Sequence, residues 1–499
     1  MSSLPRKVVV VGAGPVGCLA AMAFAKQGWR VDVYEGRPDL RLPSSKAVSQ
    51  HRSINLAMSH RGIAALEAVD SALTHRFMQA VIPMRGRMIH SLKGDLDSQL
   101  YDKNGQCINS IDRALLNEEL LEEASRSENI RIFFKRKVVA ADFDRKIITL
   151  RNLDSGEELS VDFDFCIGAD GSYSVIRRQM MRVVRMDYQQ EYIKHEYIEL
   201  KMPAGRDSYG KPKFLLDPNH LHIWPRHSFM LIALPNKDKT FTCTLFAPSS
   251  DLDRLNSADT IIAWFRTYFP DALSMIGEET LVKDFMRNPR SPLICTKSNP
   301  YHYKDRAIIL GDAAHSMVPF YGQGLNCGLE DVRILMTLLL QEGVKPTAPS
   351  SKESTSDESL LHALDRYSES RHEDLLAICD MAMDNYVEMR HAVTTPGYLF
   401  RKTLDNILYS LSHGSYVPLS SLGPLLSRVP YPPGNPSGWL PLYTMVTFRP
   451  DISYATAKKR AARQARILEG LGWTLMTLIG VAATWIIWMA LAPRIQVRR

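Results

Sequence analysis

Hydrophobic and polar positions along the chain fall into three regimes with different periods. The first opens with Lys7–Val11, a short β-branched run that reads as a buried strand. It passes through Gly12-Ala13-Gly14-Pro15-Val16-Gly17 into a helical stretch, Ala20–Gln27. A second strand, Arg30–Tyr34, follows and closes on Glu35. The same logic, an apolar strand ending in a glycine-acid turn, recurs at Cys166-Ile167-Gly168-Ala169-Asp170-Gly171-Ser172 and at Arg306–His315. In the second regime, from about 190 to 295, the pattern alternates with period two. There Phe229–Leu234 and Phe241–Phe246 flank the turn Pro235-Asn236-Lys237-Asp238 and predict a hairpin with one buried face. The third regime is interrupted: 345–359 is rich in Ser and Pro and predicts a disordered loop, and 412–439, rich in Pro, Gly and Ser, predicts irregular chain. It ends in Leu471–Ala492, 22 residues without a charge.

Charge changes the picture at the end of the chain. The protein has 499 residues, 45% hydrophobic and 23% charged, enough for a large core and two or three domains. Its net charge of +7 suggests a polyanion partner only until it is located. Residues 451–499 carry eight basic and two acidic side chains, so +6 of it lies there and the body is nearly neutral. No nucleic-acid face is implied. As a helix the 471–492 run spans roughly 33 Å, enough to cross a hydrocarbon core of about 30 Å. Trp473, Trp485 and Trp488 suit its interfaces, and basic residues flank both sides. It reads as a transmembrane tail anchor preceded by a basic juxtamembrane segment, 451–470. The seven cysteines lie singly, with no C-x-x-C pair, which fits neither zinc nor a disulfide framework.

Val8–Ala25, apolar behind Arg6 and Lys7, resembles a secretory signal, but the same residues satisfy the βαβ dinucleotide fingerprint in its required context. Gly12 permits the tight turn, Gly14 lets backbone approach a pyrophosphate, and Gly17 lets helix and strand pack closely. The pyrophosphate would rest on the helix N-terminus, and Glu35 would accept from ribose hydroxyls.

The motifs ending at Asp170-Gly171 and at Gly311-Asp312 stand in the order and separation of those in the FAD-dependent aromatic hydroxylases, and the chain resembles that family. The resemblance implies that Asp312 holds the flavin ribitol and that Asp170 lies near FAD and the reducing nucleotide. It further places Val16, Arg37, Ala57, Arg113, Val138, Gly324, Leu325 and Asn326 at the cofactor. Pro319–Asn326, PFYGQGLN, would lie against the flavin ring and open a helix running through Asp331 and Leu335.

Within the family the chain resembles the members that hydroxylate L-kynurenine. The stretches RSINLAMSHRG (52–62), PMRGRMIHSL (83–92), LHIWPR (221–226), FTCTLF (241–246), GDAAHSMVPFYGQGLN (311–326), DNYVEMR (384–390) and PLYTMVTF (441–448) carry this likeness. It implies a carboxylate clamp of Arg87, Tyr101, Asn385 and Tyr443, and slot walls at Leu221, Ile232 and Phe246. Arginine suits the clamp because its planar fork can meet both carboxylate oxygens. NADPH would reduce FAD, and dioxygen would supply the hydroxyl. No catalytic triad, metal or catalytic histidine is expected, and His315 reads as structural.

The expected class is α/β (α+β): a Rossmann-like FAD-binding domain with a β-sheet substrate domain, C-terminal helices and a terminal transmembrane helix. The FAD-binding domain would be discontinuous, 1–185 and 296–345, and the substrate sheet would occupy 186–295. A loop at 346–359 and a helical region at 360–450, completing the substrate site, would precede the anchor. The mitochondrial outer membrane, with the body in the cytosol, is the expected address. Two other readings remain open at this point. One is a flavoenzyme hydroxylating phenols or epoxidising a lipid olefin. The other is a flavin-free carrier of prenylated partners, related in fold to GDP-dissociation inhibitors.

Overall fold

The computed structural model describes residues 5–45, 55–102, 105–347, 356–391, 393, 395–411 and 438–496, leaving aside the side chains of 471–476, 478, 479, 487 and 490–496. The β-branched run Lys7–Val11 lies at the heart of a six-stranded sheet. Its neighbours are Phe165–Gly168 on one side and Arg30–Tyr34 on the other, both parallel to it. Ala307–Ile309 and Ile130–Phe133 extend the parallel core, and His302–Tyr303 adds an antiparallel edge. Val8, Val9 and Val10 are fully buried, as a strand covered on both faces must be. The helix expected from Ala20 begins earlier, spanning Pro15–Lys26, because Pro15 sits in its first turn where a missing N–H costs nothing.

A seven-stranded sheet packs beside this layer. Its order is Ser291–Asn299, Asp187–Met202, Phe241–Pro248, Phe229–Pro235, His220–Arg226, Gly86–His90, Leu96–Leu100. The expected hairpin is there, with Phe246 opposite Met230 and Ile232 opposite Thr244. Two of the strands, Gly86–His90 and Leu96–Leu100, come from the first expected span, and Leu221 stands opposite Arg87 in parallel register. Period two then sorts the faces. Trp224, Leu231, Cys243, Leu245, Ile198 and Leu200 form a separate core with helices Ala258–Tyr268, Pro270–Ile276 and Glu278–Arg287. Arg87, Leu221, Ile232 and Phe246 share the opposite face, toward the nucleotide layer.

At the C-terminal side follow helices Glu358–Arg390, Pro396–Leu411, Leu442–Phe448 and Tyr454–Gln496. Both margins of the expected loop at 345–359 are ordered. Arg6 N donates to Pro346 O at 2.7 Å, its guanidinium meets Asp357 Oδ2 at 2.5 Å, and Asp357 caps the helix starting at Glu358. Residues 348–355, and 412–437 of the expected irregular stretch, lie outside the described residues. The expected transmembrane helix is not found: among the described residues no helix is long and apolar enough to cross a membrane. The chain from Leu471 does continue as helix to Gln496.

Candidate functional site

The glycine turn is sterically determined at two of its three positions. Gly12 has φ +102°, and a Cβ there would stand 2.4 Å from Ala169 O. A Cβ on Gly17 would stand 1.9 Å from Gly12 O. At Gly14 nothing lies within 4 Å, so this flank is open for a phosphate to approach. Gly14 is also the N-cap of helix Pro15–Lys26 and brings no side-chain acceptor, leaving the first-turn amide of Val16 directed outward. Glu35 is fixed beside the turn by Ala13 N (2.9 Å) and Arg37 N (2.8 Å), with the Arg37 guanidinium on the same carboxylate. Burial pushes the Glu35 carboxyl up, but Arg37 and the two amides outweigh it, so it is held ionised below its ordinary range. An ionised acceptor next to an open, positively polarised helix end fits the diphosphate and ribose of FAD.

A second wall comes from the chain after Ala307–Ile309. Gly311, at φ +58°, turns it into the short helix Asp312–His315, and the Asp312 side chain is exposed there. Then Pro319–Tyr321 forms a 3₁₀ turn, Gly322 adopts φ +67°, and helix Gly324–Gln341 begins. Asn326, expected at the cofactor, is a brace. Its Nδ2 donates to Ala57 O (2.8 Å) and Gly322 O (2.7 Å), while its Oδ1 accepts from Ser59 N (2.8 Å). It thereby holds Ala57 against the turn, with Leu325 half-buried beside it.

Asp170 is also committed. Its oxygens accept from Ser174 Oγ (2.5 Å), Val175 N (2.6 Å) and Ile176 N (3.2 Å), capping helix Val175–Met180. Arg177 of that helix donates to Ala313 O and Ser172 O, joining the two acid turns. Arg113 starts helix Arg113–Ser125, exposed, next to Glu199. Burial pushes the Glu199 carboxyl up to about 7 against the pull of Arg113. Val138 lies in strand Arg136–Asp142, beside the Glu35 segment.

Three of the four clamp residues come together. The rings of Tyr101 and Tyr443 stack at 4.8 Å with 11° between planes, and the Arg87 guanidinium lies 5.8 and 5.4 Å from their centroids. Leu221, Ile232 and Ala57 pack against the same small core as these tyrosines. Phe246 lies further in, edge-on to Phe320 at 5.0 Å. Asn385 stands apart from Arg87 in its bonding: its Nδ2 donates to Phe320 O at 2.6 Å, tying helix Glu358–Arg390 to the 3₁₀ turn.

Two residues bonded to this group are absent from the sequence-based set. Glu388 receives Arg87 Nη1 at 3.1 Å, and Tyr398 OH donates to the same Glu388 oxygen at 2.9 Å. The signal available for Glu388 was its place in DNYVEMR, one helical turn after Asn385. For Tyr398 there was none.

Behind the clamp lies a fully buried ion network. Arg61 meets Glu330 at 2.9 Å; Arg371 meets Glu330 at 2.9 Å and Asp331 at 3.0 Å; His315 Nε2 meets Asp331 at 2.6 Å. Ligand atoms of His315, Cys327 and Asp331 lie within 4.8 Å of one another, a possible metal triad. The Arg371 guanidinium already supplies the cation there, donating also to Cys327 Sγ at 3.4 Å.

Comparison with known proteins joins these observations. A family described as "FAD binding domain" matches residues 6–372. Over 515 aligned residues the chain is 43% identical to the kynurenine 3-monooxygenase of Cryptococcus neoformans, covering 100% of this chain and 99% of the relative. For the Yarrowia lipolytica protein of that name the identity is 44%, with 96% of both covered. For that of Saccharomyces cerevisiae it is 42%, with 94% and 95% covered. Among solved structures, 2-methyl-3-hydroxypyridine-5-carboxylic acid oxygenase superposes with TM-score 0.58 at 21% identity, covering 79% of this chain and 95% of that one. A probable FAD-dependent monooxygenase of Pseudomonas aeruginosa gives 0.60 at 18%, covering 79% and 99%. At such identities these two speak for the fold alone. With its glycine turn, its two acid turns and its full-length relatives in agreement, the chain belongs to the FAD-binding-domain family, in its kynurenine 3-monooxygenase branch.

Proposed function

We propose that this chain hydroxylates L-kynurenine to 3-hydroxykynurenine with NADPH and O2, a step of tryptophan catabolism leading toward NAD. One observation carries the reading beyond likeness: Arg87, Tyr101 and Tyr443 converge on the substrate-sheet face that looks toward Ala57 and the 319–326 turn. When bound, FAD would pass the reducing equivalents of NADPH to O2 and supply the oxygen chemistry. The residues to hold it are Gly12, Gly14, Val16, Gly17, Glu35 and Asp312. The chain's own part is to bind, orient and exclude water. Arg87 offers its guanidinium to the substrate carboxylate, and Glu388, already bonded to its Nη1, provides the opposite charge for the α-ammonium. Leu221, Ile232 and Phe246 give the aminophenyl ring an apolar wall. The amino group activates the ring, so no protein base need remove a proton first. The deciding experiment is NADPH oxidation by the yellow protein with and without L-kynurenine, with identification of the product. Oxidation indifferent to kynurenine, or a different product, overturns the reading, and a colourless protein would favour the carrier fold.

The segment 471–492 supports a second reading, attachment to the mitochondrial outer membrane with the body in the cytosol. Val481, Trp485, Ile486, Trp488 and Met489 are all exposed large apolar side chains. The run is free of charge and flanked by Lys458, Lys459, Arg460, Arg463 and Arg466 before it and Arg494, Arg498 and Arg499 after it. Fractionation with carbonate extraction tests this. Release of the full chain by carbonate refutes it.

A further inference from the structure

A cavity of about 440 Å3 opens between strand Arg136–Asp142 and helix Val175–Met180. Its floor is apolar, made by Val138, Val139 and Val175, and its rim carries Lys137, Arg178 and Arg182 with Gln179. No lining residue is acidic. Lys137, Arg178 and Arg182 are exposed, and among the described residues none of the three forms an ion pair. Elsewhere the surface pairs its cations readily: nearby, Lys135 meets Asp154 at 2.7 Å and Arg131 meets Asp32 at 2.8 Å. Three unpaired cations around an apolar floor are chemically asymmetric. The floor suits a flat heterocycle, and the rim suits a multiply charged anion.

The location narrows the ligand. Arg136 N donates to Glu35 O at 2.9 Å, and Lys137 Cβ lies 3.8 Å from where a Cβ on Gly36 would stand. The cavity therefore adjoins the ribose end of the dinucleotide site. The two phosphates of FAD have their own donors, the backbone N–H groups of the glycine turn at 12–17. The adenosine of FAD is uncharged and offers three cations nothing to neutralise. A nucleotide phosphorylated on its ribose carries the missing dianion. We propose that this cleft binds the adenosine 2′-phosphate end of the reductant NADPH, with Lys137, Arg178 and Arg182 around the phosphate. The inference rests on the reading of the chain as an NADPH-dependent flavoenzyme. It makes the rim the element that distinguishes NADPH from NADH.

The test uses the full-length, FAD-loaded protein and the variants Arg178→Gln, Arg182→Gln and Lys137→Gln. Adenosine 2′,5′-bisphosphate is titrated calorimetrically, a readout independent of turnover. Its affinity should fall about tenfold in a single variant, the loss of one hydrogen bond to a charged group, and further in the double arginine variant. The KM for NADPH should rise in parallel while KM for NADH, kcat and the kynurenine dependence stay put. Equal losses for NADPH and NADH, or unchanged bisphosphate binding in all three variants, overturn the proposal. Loss of FAD from the variants also overturns it, because the cleft then serves the flavin adenosine. A parent protein that binds the bisphosphate but does not oxidise NADPH would instead sink the enzymatic reading and leave the phosphate site standing.

Discussion

Arg61 is the residue whose replacement reports most about how the site is built. It is fully buried, ion-paired with Glu330 at 2.9 Å, and it donates to the carbonyls of Met445, Val446, Arg449 and Ile452. Those carbonyls belong to helix Leu442–Phe448 and the turn after it, so one guanidinium holds the element that carries Tyr443. Burial alone would push the Glu330 carboxyl up, but Arg61, Arg371 and Arg333 reverse this and hold it at about 2, against an ordinary 4.5. At about 1.4 kcal/mol per unit that is roughly 3 kcal/mol of stabilisation shared among three arginines. The folded value is depressed, so this stabilisation is full above pH 4.5 and is lost as pH falls through about 2. Arg61→Met removes the first of those cations and leaves four buried carbonyls short of a donor. The expected loss is about 3–5 kcal/mol, the range for breaking a buried ion pair on one side. Urea denaturation at pH 7 with excess FAD measures it, and KM for kynurenine should rise more than kcat falls because the clamp loosens. Arg61→Met with Glu330→Leu should recover part of the loss. A single variant costing less than about 1 kcal/mol, or a double variant losing the plain sum, would refute the account of Arg61 as the tether of the clamp.

Arg87→Lys should keep FAD and lose kynurenine affinity by roughly 1.5–3 kcal/mol, measured by spectral titration; unchanged binding would remove Arg87 from the site. Asp312→Ala should fold but shed FAD on dilution, seen as loss of visible absorbance in the filtrate, and retention equal to the parent would move the ribitol acceptor elsewhere. Burial pulls the His222 imidazole down to about 4, so folding favours its neutral form. Its contribution is full above the ordinary 6.5 and shrinks below it, by about 2 kcal/mol at pH 5. Urea midpoints of the parent should therefore fall between pH 7 and 5 more steeply than those of His222→Gln, and equal slopes would contradict this.

Where the sequence was legible, the information was local. The glycine turn, its two strands and the hairpin at 229–246 follow from steric and periodic constraints within a few residues. Even there the helix start moved to Pro15, since a proline in the first turn weighs more than the onset of an apolar run. The clamp is different. Arg87 and Tyr443 are separated by more than three hundred residues, and only the family likeness joined them before the fold did. Asp170 and Asn326, expected at the cofactor, make hydrogen bonds within the protein that the sequence did not announce. Both short polar side chains satisfy backbone amides and carbonyls at turns, which residue type does not distinguish from contact with a ligand. Glu330, Arg371 and Arg61 were invisible because a charged residue on a helix is usually solvated, and only packing reveals that these are enclosed. Glu388 shares that difficulty, since its value lies wholly in the distant Arg87.

The helix beginning at Tyr454 poses the last question: where the catalytic body ends. Tyr454 is fully buried, its ring 4.0 Å from the Arg61 guanidinium, and its hydroxyl donates to Gln323 Oε1 at 3.1 Å, at the residue before helix Gly324–Gln341. The next residue, Ala455, donates its N–H to Asp374 Oδ1 at 2.9 Å, and one turn on Lys458 pairs with Asp380 at 2.7 Å. From Val481 to Met489, by contrast, the described apolar side chains face solvent. The first turn of this helix therefore packs against the base of the Arg87–Tyr443 group, whereas the described apolar side chains of its far end do not. A chain ending at 470 should keep FAD and keep its kynurenine KM within about twofold. A chain ending at 448 loses a buried tyrosine, worth about 3–5 kcal/mol by analogy with large core truncations, and uncovers Arg61. It should purify with little FAD or with kynurenine affinity reduced at least tenfold. Fluorescence titration of both truncations against the parent, at matched FAD content, distinguishes the two. If the 448 chain binds kynurenine like the 470 chain, Tyr454 is packing without consequence for the site, and the link between this helix and Tyr443 fails.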